Sequence, residues 1–173
     1  MSLDKDILND FILESKKLVE DSLEILNEVE GQPDQAKRLA DYGNLVDRIM
    51  GGARSLALLV PKDHAIHMVS DYAAVCKAVG YKSSQILEND SFFSACVGLL
   101  LDATETLEKL LDGVETPTVE LKKSIPGTFI DRLQWVSKRF SKDFRSSVSA
   151  VTDPSGAMSQ DDIDGLLKKL GIG

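Results

Sequence analysis

Apolar residues recur at intervals of three and four along most of the chain, the period of a helix with one face turned inward. In the first segment, Leu3 to Val29, the stripe is Ile7, Leu8, Phe11, Ile12, Leu18, Leu23, Ile25 and Leu26. Gly31, Gln32 and Pro33 end it, and Pro33 suits the first turn of the next helix. That second helix is predicted from Pro33 to Leu59, with Leu39, Val46, Ile49, Ala53, Leu56 and Ala57 inward, and Pro61 closes it. A third starts near Asp63, which can cap it, and carries Ile66, Val69, Tyr72, Ala73, Cys76 and Val79 to a stop near Gly80. A fourth spans Ser83 to Leu111, with Ser84 as its N-cap and Leu87, Phe92, Phe93, Cys96, Leu99, Leu100, Ala103, Leu107 and Leu110 or Leu111 inward. Val119 to Ile125 forms a short helical piece that Pro126 and Gly127 interrupt. A last core helix follows from Thr128 to Val148, with Phe129, Leu133, Val136, Phe140 and Phe144. No alternation is long enough for a strand. The fold class expected is therefore all-α, an antiparallel helical bundle.

The pattern changes after residue 150. VTDPSGAM, residues 151–158, holds Pro154 and Gly156 and no apolar stripe, which reads as a flexible linker. Residues 159–173, SQDDIDGLLKKLGIG, contain a complete helix specification. Ser159 can cap it, and Asp162 can complete a capping box. Asp161, Asp162 and Asp164 lie at the end that favours anions, Lys168 and Lys169 at the end that favours cations. Ile163, Leu166, Leu167 and Leu170 share one face, and Gly171 stops the helix. A helix this short is marginal alone in water and needs a groove, either on residues 1–150 or on another protein.

Composition narrows the partners. The 173 residues carry a formal charge of −8, which argues against nucleic acid as a ligand. Cys76 and Cys96 sit inside apolar stripes without metal-ligand spacing, which predicts reduced core cysteines. The acidic start MSLDKDILND is unlike a signal peptide, and Ala95 to Leu101 is too short to cross a bilayer. A soluble, cytoplasmic protein with no membrane span is expected. His64 and His67 lack the acidic or cysteine neighbours of a metal site. No Gly-rich phosphate loop, Ser-His-Asp arrangement or zinc motif is present.

Two resemblances add to this reading. MSQDDIDGLL, with Ser159, Gln160, Asp161, Asp162, Ile163, Asp164, Leu166 and Leu167, resembles the motif that opens bacterial flagellar motor switch proteins. That motif docks on phosphorylated CheY, the chemotaxis response regulator. Its placement after a linker resembles the tail of the CheY phosphatase CheZ. Gly165 departs from the helix-favouring residue usual there and weakens the free helix by about 0.8–1.0 kcal/mol relative to Ala. In the bundle, DRIMGGARSLAL resembles the central helix of histidine phosphotransfer (HPt) domains, and VSDYAAVCKAVGYKSSQ the helix and turn that follow. Asp47 stands where HPt domains carry the phosphorylated His, and Met50 where they carry Lys. The resemblance implies an HPt-like bundle unable to act as an ordinary phosphorelay carrier. Together the two imply a CheY-like response regulator as partner, or a flagellar switch component.

The second helix also offers chemistry. At about 100° per residue, Asp41, Asn44, Arg48, Gly51 and Ser55 form one polar face, with Asp47 and Gly52 at its edges. Gly51 and Gly52 cost a helix interior about 1 kcal/mol each, and such glycines mark close approach by a helix or a docked partner. Hydrolysis of an aspartyl phosphate needs a water held in line, which an amide can orient while an acid fixes the geometry. CheY phosphatases use such acid-amide pairs: Asp-x-x-x-Gln in CheZ, Glu-x-x-Asn in the CheC and CheX group. Asp41 and Asn44 resemble the second in spacing. Asp131 and Gln134 form a rival pair on the last core helix, Glu28 and Gln32 a third. The expectation is Asn44 as the acting amide, oriented by Asp41 or Asp47, with Arg48 and Gly51 contacting the partner. Magnesium is expected on the regulator, with no cofactor of this chain's own. The rival expectation is an adaptor that binds without hydrolysis. Trp135 is expected at the core or domain edge. Lys138, Arg139, Lys142 and Arg145 form either a solvated basic strip or a docking strip for an acidic pocket.

Overall fold

A computed structural model describes residues 3–142 and Gly165. The described residues are all helical apart from turns and loops, with no strand among them. Six α-helices follow in order: α1 Lys5–Val29, α2 Leu39–Ala57, α3 Ala65–Ser83, α4 Asp90–Asp112, α5 Thr118–Lys122 and α6 Gly127–Lys142. None is long and apolar enough to cross a membrane.

The expected second helix is broken. Pro33–Arg38 is a 3-10 segment, and Gln35 leaves helical geometry at φ −99°, ψ 16°. The tighter turn carries Ala36 into the core before α2 begins at the fully buried Leu39. The third helix is capped by His64 rather than Asp63: its Nδ1 accepts the Ile66 amide at 3.1 Å. It also runs past Gly80 to Ser83, because Gly80 serves packing there rather than termination. A Cβ on Gly80 would lie 2.6 Å from the Tyr42 ring, and one on Gly43 would lie 2.8 Å from the Tyr81 ring. Two glycines on facing helices thus each receive the other helix's tyrosine.

The fourth helix starts at Asp90, capped by Asn89, whose Oδ1 accepts the Phe92 amide. Ser84 is the C-cap of α3, not the N-cap of α4. Consequently Leu87 lies in a loop and is 58% exposed rather than inward. Within that loop Glu88 adopts φ +53°, a conformation uncommon for a residue other than glycine. Of the short helical piece, Val119 is exposed while Leu121 and Ile125 are buried.

The core gathers around α3, which buries residues on nearly every side. Glu28 pairs with Arg38, Glu14 with Arg48, and Phe11 lies over Gly52, so α1 and α2 run in opposite directions. Tyr42 beside Gly80 and Asp47 beside Lys77 give α2 and α3 the same relation. At the far side Phe92 of α4 packs edge-on to Phe140 of α6 at 5.0 Å, and Tyr72 of α3 tilts against Phe129 at 5.4 Å. Cys76 and Cys96 are free and buried, and burial pushes both thiols up to about 12.

Candidate functional site

The polar face of α2 emerges as the wheel places it. Asp41, Asn44, Arg48, Gly51 and Ser55 are all exposed, while Val46, Ile49, Ala53 and Leu56 are buried on the opposite side. Tyr42 and Gly43 join the buried side. Asn44 is held from the next helix: the Tyr81 hydroxyl donates to its Oδ1. An Asn has two N–H donors on its other end, and these face away from the bond that anchors the oxygen. Asp47 is half-exposed and paired with Lys77 at 2.9 Å. Lys77, whose side chain is 13% exposed, also lies 5.8 Å from the centre of the Tyr81 ring. Lys77 and Tyr81 are one helical turn apart on α3, so one stripe of α3 supports two residues of α2.

This division separates the acids. Asp47 is committed to Lys77, whereas Asp41 has no ion pair with a described residue and shares the exposed face with Asn44. Arg48 reaches Glu14 of α1 at 3.3 Å, across an exposed surface where such pairs contribute little. A Cβ on Gly51 would meet nothing within 4 Å, so no neighbouring helix of the described chain requires that glycine. Gly52 is different, since a Cβ there would come within 2.9 Å of the Phe11 ring.

The other acid-amide pairs have distinct settings. Asp131 and Gln134 are both exposed on α6. Glu28 is engaged by Arg38. The histidines have structural roles: His64 caps α3, and the His67 ring, through Nε2–H, donates to the Pro61 carbonyl at 3.1 Å. Among the described residues no group of His, Cys, Asp and Glu could hold a metal ion.

On α6, Trp135 is 49% exposed and packs edge-on to Phe92 at 6.1 Å, which puts it at the domain edge. The Arg139 guanidinium lies 5.3 Å from the Trp135 ring and 5.7 Å from that of Phe92, and Lys138 is exposed. Arg145 and the side chain of Lys142 lie outside the described part. So do Ser159, Gln160, Asp162, Ile163, Asp164, Leu166, Leu167 and Leu170, together with the 151–158 linker and Phe144. In the tail Gly165 alone is described; it is helical and exposed.

The sequence reading missed Tyr81 and Lys77. Their signal was the i and i+4 spacing of two polar-tipped residues on a largely apolar helix, shared there with His67, Asp71 and Lys82. Compared with models of known families, with curated proteins and with solved structures, the chain matches none.

Proposed function

We propose that this chain binds a phosphorylated CheY-like response regulator and promotes its dephosphorylation. The observation that carries the proposal is the Asn44 side chain, exposed beside Asp41 with its oxygen anchored by Tyr81. Anchoring removes the rotamer freedom of a surface amide, and orientation of one water is what this hydrolysis asks of the protein. The water attacks phosphorus, the bond from phosphorus to the aspartyl oxygen breaks, and inorganic phosphate leaves the restored carboxylate. Asn44 holds the water and Asp41 fixes its orientation; magnesium, if held by the regulator, would supply the neutralisation of the leaving group.

On this reading the fold is an antiparallel, HPt-like bundle. The α2 face that presents a His in a phosphotransfer domain here presents Asn44, Asp41 and the neutralised Asp47–Lys77 pair. Arg48 and the open surface at Gly51 receive the regulator. The tail, through Ser159, Gln160, Asp162, Ile163, Asp164, Leu166, Leu167 and Leu170, captures it first, and the linker supplies a high local concentration for the α2 face.

The test is the decay of phosphorylated regulator with and without this protein. Wild type should accelerate it. Asn44→Ala should lose about 100-fold of that acceleration while still binding. Gln134→Ala should behave as wild type; if it alone loses activity, the acting face is α6. Binding without acceleration by wild type would leave an adaptor in place of a phosphatase. Leu166→Asp in the tail should weaken capture at limiting protein.

A further inference from the structure

The described part of the chain contains an open cleft at the end of the bundle where α2 begins and α3 ends. Its volume is about 860 Å³, within the range of sites that enclose a ligand. The apolar lining comes from Pro33, Ala36 and Ala40 on one wall and Ile86 and Leu87 on the other. Ala36 and Ile86 are buried and form its floor, while Leu87 stands 58% exposed at its side. The rim is mostly acidic, with Asp34, Glu88 and Asp90 set against the single cation Lys37.

The last described helix ends near this cleft. Near the end of α6, Phe140 packs on Phe92, and the Lys82 ammonium lies 5.8 Å from the Phe140 ring. Lys82 is two residues before Ser84 and Phe92 two residues after Asp90, both of which line the cleft. Residues 143–158 then separate α6 from the amphipathic peptide. Sixteen residues reach about 24 Å as a helix and about 50 Å extended, so the peptide can sit in the cleft without moving any described element.

We propose that the chain's own C-terminal peptide, residues 159–173, occupies this cleft. Ile163, Leu166, Leu167 and Leu170 would cover the Ala36, Ala40, Ile86 and Leu87 surface. Lys168 and Lys169 at the end of the peptide complement the three carboxylates of the rim, and Lys37 is the one cation available to its acidic start. A short tether holds the peptide at a millimolar local concentration, which favours it over a peptide from a separate molecule. Gly165 falls opposite the apolar stripe, and its exposure, with nothing within 4 Å of a Cβ, agrees with that face remaining in water. The cleft and the tether carry this inference without reference to any external partner. If a regulator also uses the tail, the same apolar stripe cannot occupy both places, and release from the cleft becomes a step in capture.

A paramagnetic label tests it in the full chain. Ser91→Cys puts a nitroxide beside the cleft, outside its lining, and Leu58→Cys puts one at the other end of α2, about 27 Å from Ala40. The native Cys76 and Cys96 are buried and stay protonated at neutral pH, so the label goes to the introduced thiol. The label at 91 should broaden the amide signals of Ile163–Leu170, the label at 58 should not, and either Leu87→Asp or Leu166→Asp should restore the signals. Leu166→Asp lies outside the bundle, so it keeps the test meaningful should Leu87→Asp perturb the loop. Unbroadened tail signals with the label at 91, or equal broadening from both positions, would overturn the proposal. So would broadening found only between labelled and unlabelled molecules in a mixture, which would assign the cleft to a second copy. None of these readings involves the regulator, so failure here leaves the phosphatase test untouched.

Discussion

Asn44 owes its fixed position to one hydroxyl on a neighbouring helix. Removing that hydroxyl by Tyr81→Phe keeps the ring over Gly43 and frees the amide. A neutral hydrogen bond of this kind contributes about 0.5–1.5 kcal/mol, so the fold should lose no more than that by urea titration. On the proposed reaction Tyr81 is a positioning residue, and its loss should lower the maximal rate of regulator dephosphorylation several-fold without weakening regulator binding. An equal loss in binding and rate would make its role structural. Lys77→Met should act differently, since it leaves Asp47 without its cation beside the site. An uncompensated negative charge facing a phosphorylated partner weakens binding first.

Helix packing shows in the contrast among glycines of α2 and α3. Gly80 faces the Tyr42 ring so closely that a methyl group forces a shift, and Tyr42 is fully buried and bonded to Thr104 at 2.8 Å. Gly80→Ala should therefore cost about 1–3 kcal/mol through overpacking. Gly51 has open space around it, and Gly51→Ala should stabilise the protein by about 1 kcal/mol from helix propensity. Thermal unfolding of both variants checks the pair of signs. If the open face at Gly51 receives the regulator, Gly51→Ala should also weaken its binding, giving a variant that is more stable and less competent.

Across the molecule, the buried thiols set an alkaline limit. In the unfolded chain each thiol ionises near its ordinary value of 9.0, whereas burial raises both to about 12 in the fold. The folded state therefore holds the proton more tightly. Its advantage is complete below pH 9 and is lost as the pH rises from about 9 towards 12. Each thiol should contribute a slope of about 1.4 kcal/mol per pH unit inside that window. Tyr42 adds in the same direction at higher pH, since burial raises it well above 10.0. Urea midpoints should fall between pH 8 and pH 10.5, and Cys96→Ala should make the fall shallower. A midpoint that stays level or rises would contradict the burial of these thiols in solution.

The sequence by itself determined that the described residues are helical, which α2 residues face water and most of the core stripes, with Ile7 and Leu87 exposed against expectation, because a 3.6-residue period is a local property of the chain. Val46, Ile49, Ala53 and Leu56 are buried and Asp41, Asn44, Arg48 and Gly51 exposed for that reason alone. Where local signals were ambiguous, tertiary contacts decided. Gly80 carries the same residue type as a helix stop, yet a tyrosine from α2 needs its missing side chain, so α3 continues. Ser84 is the cap expected from the sequence, yet α3 takes it as a C-cap and Asn89 opens α4, leaving Leu87 outside the core. The candidate site divides in the same way. Its exposed acid and amide are legible as a spacing on one helix. The hydroxyl that anchors Asn44 and the ammonium that engages Asp47 come from α3, more than thirty residues on in the case of Tyr81. Only the packing of α2 against α3 brings them together.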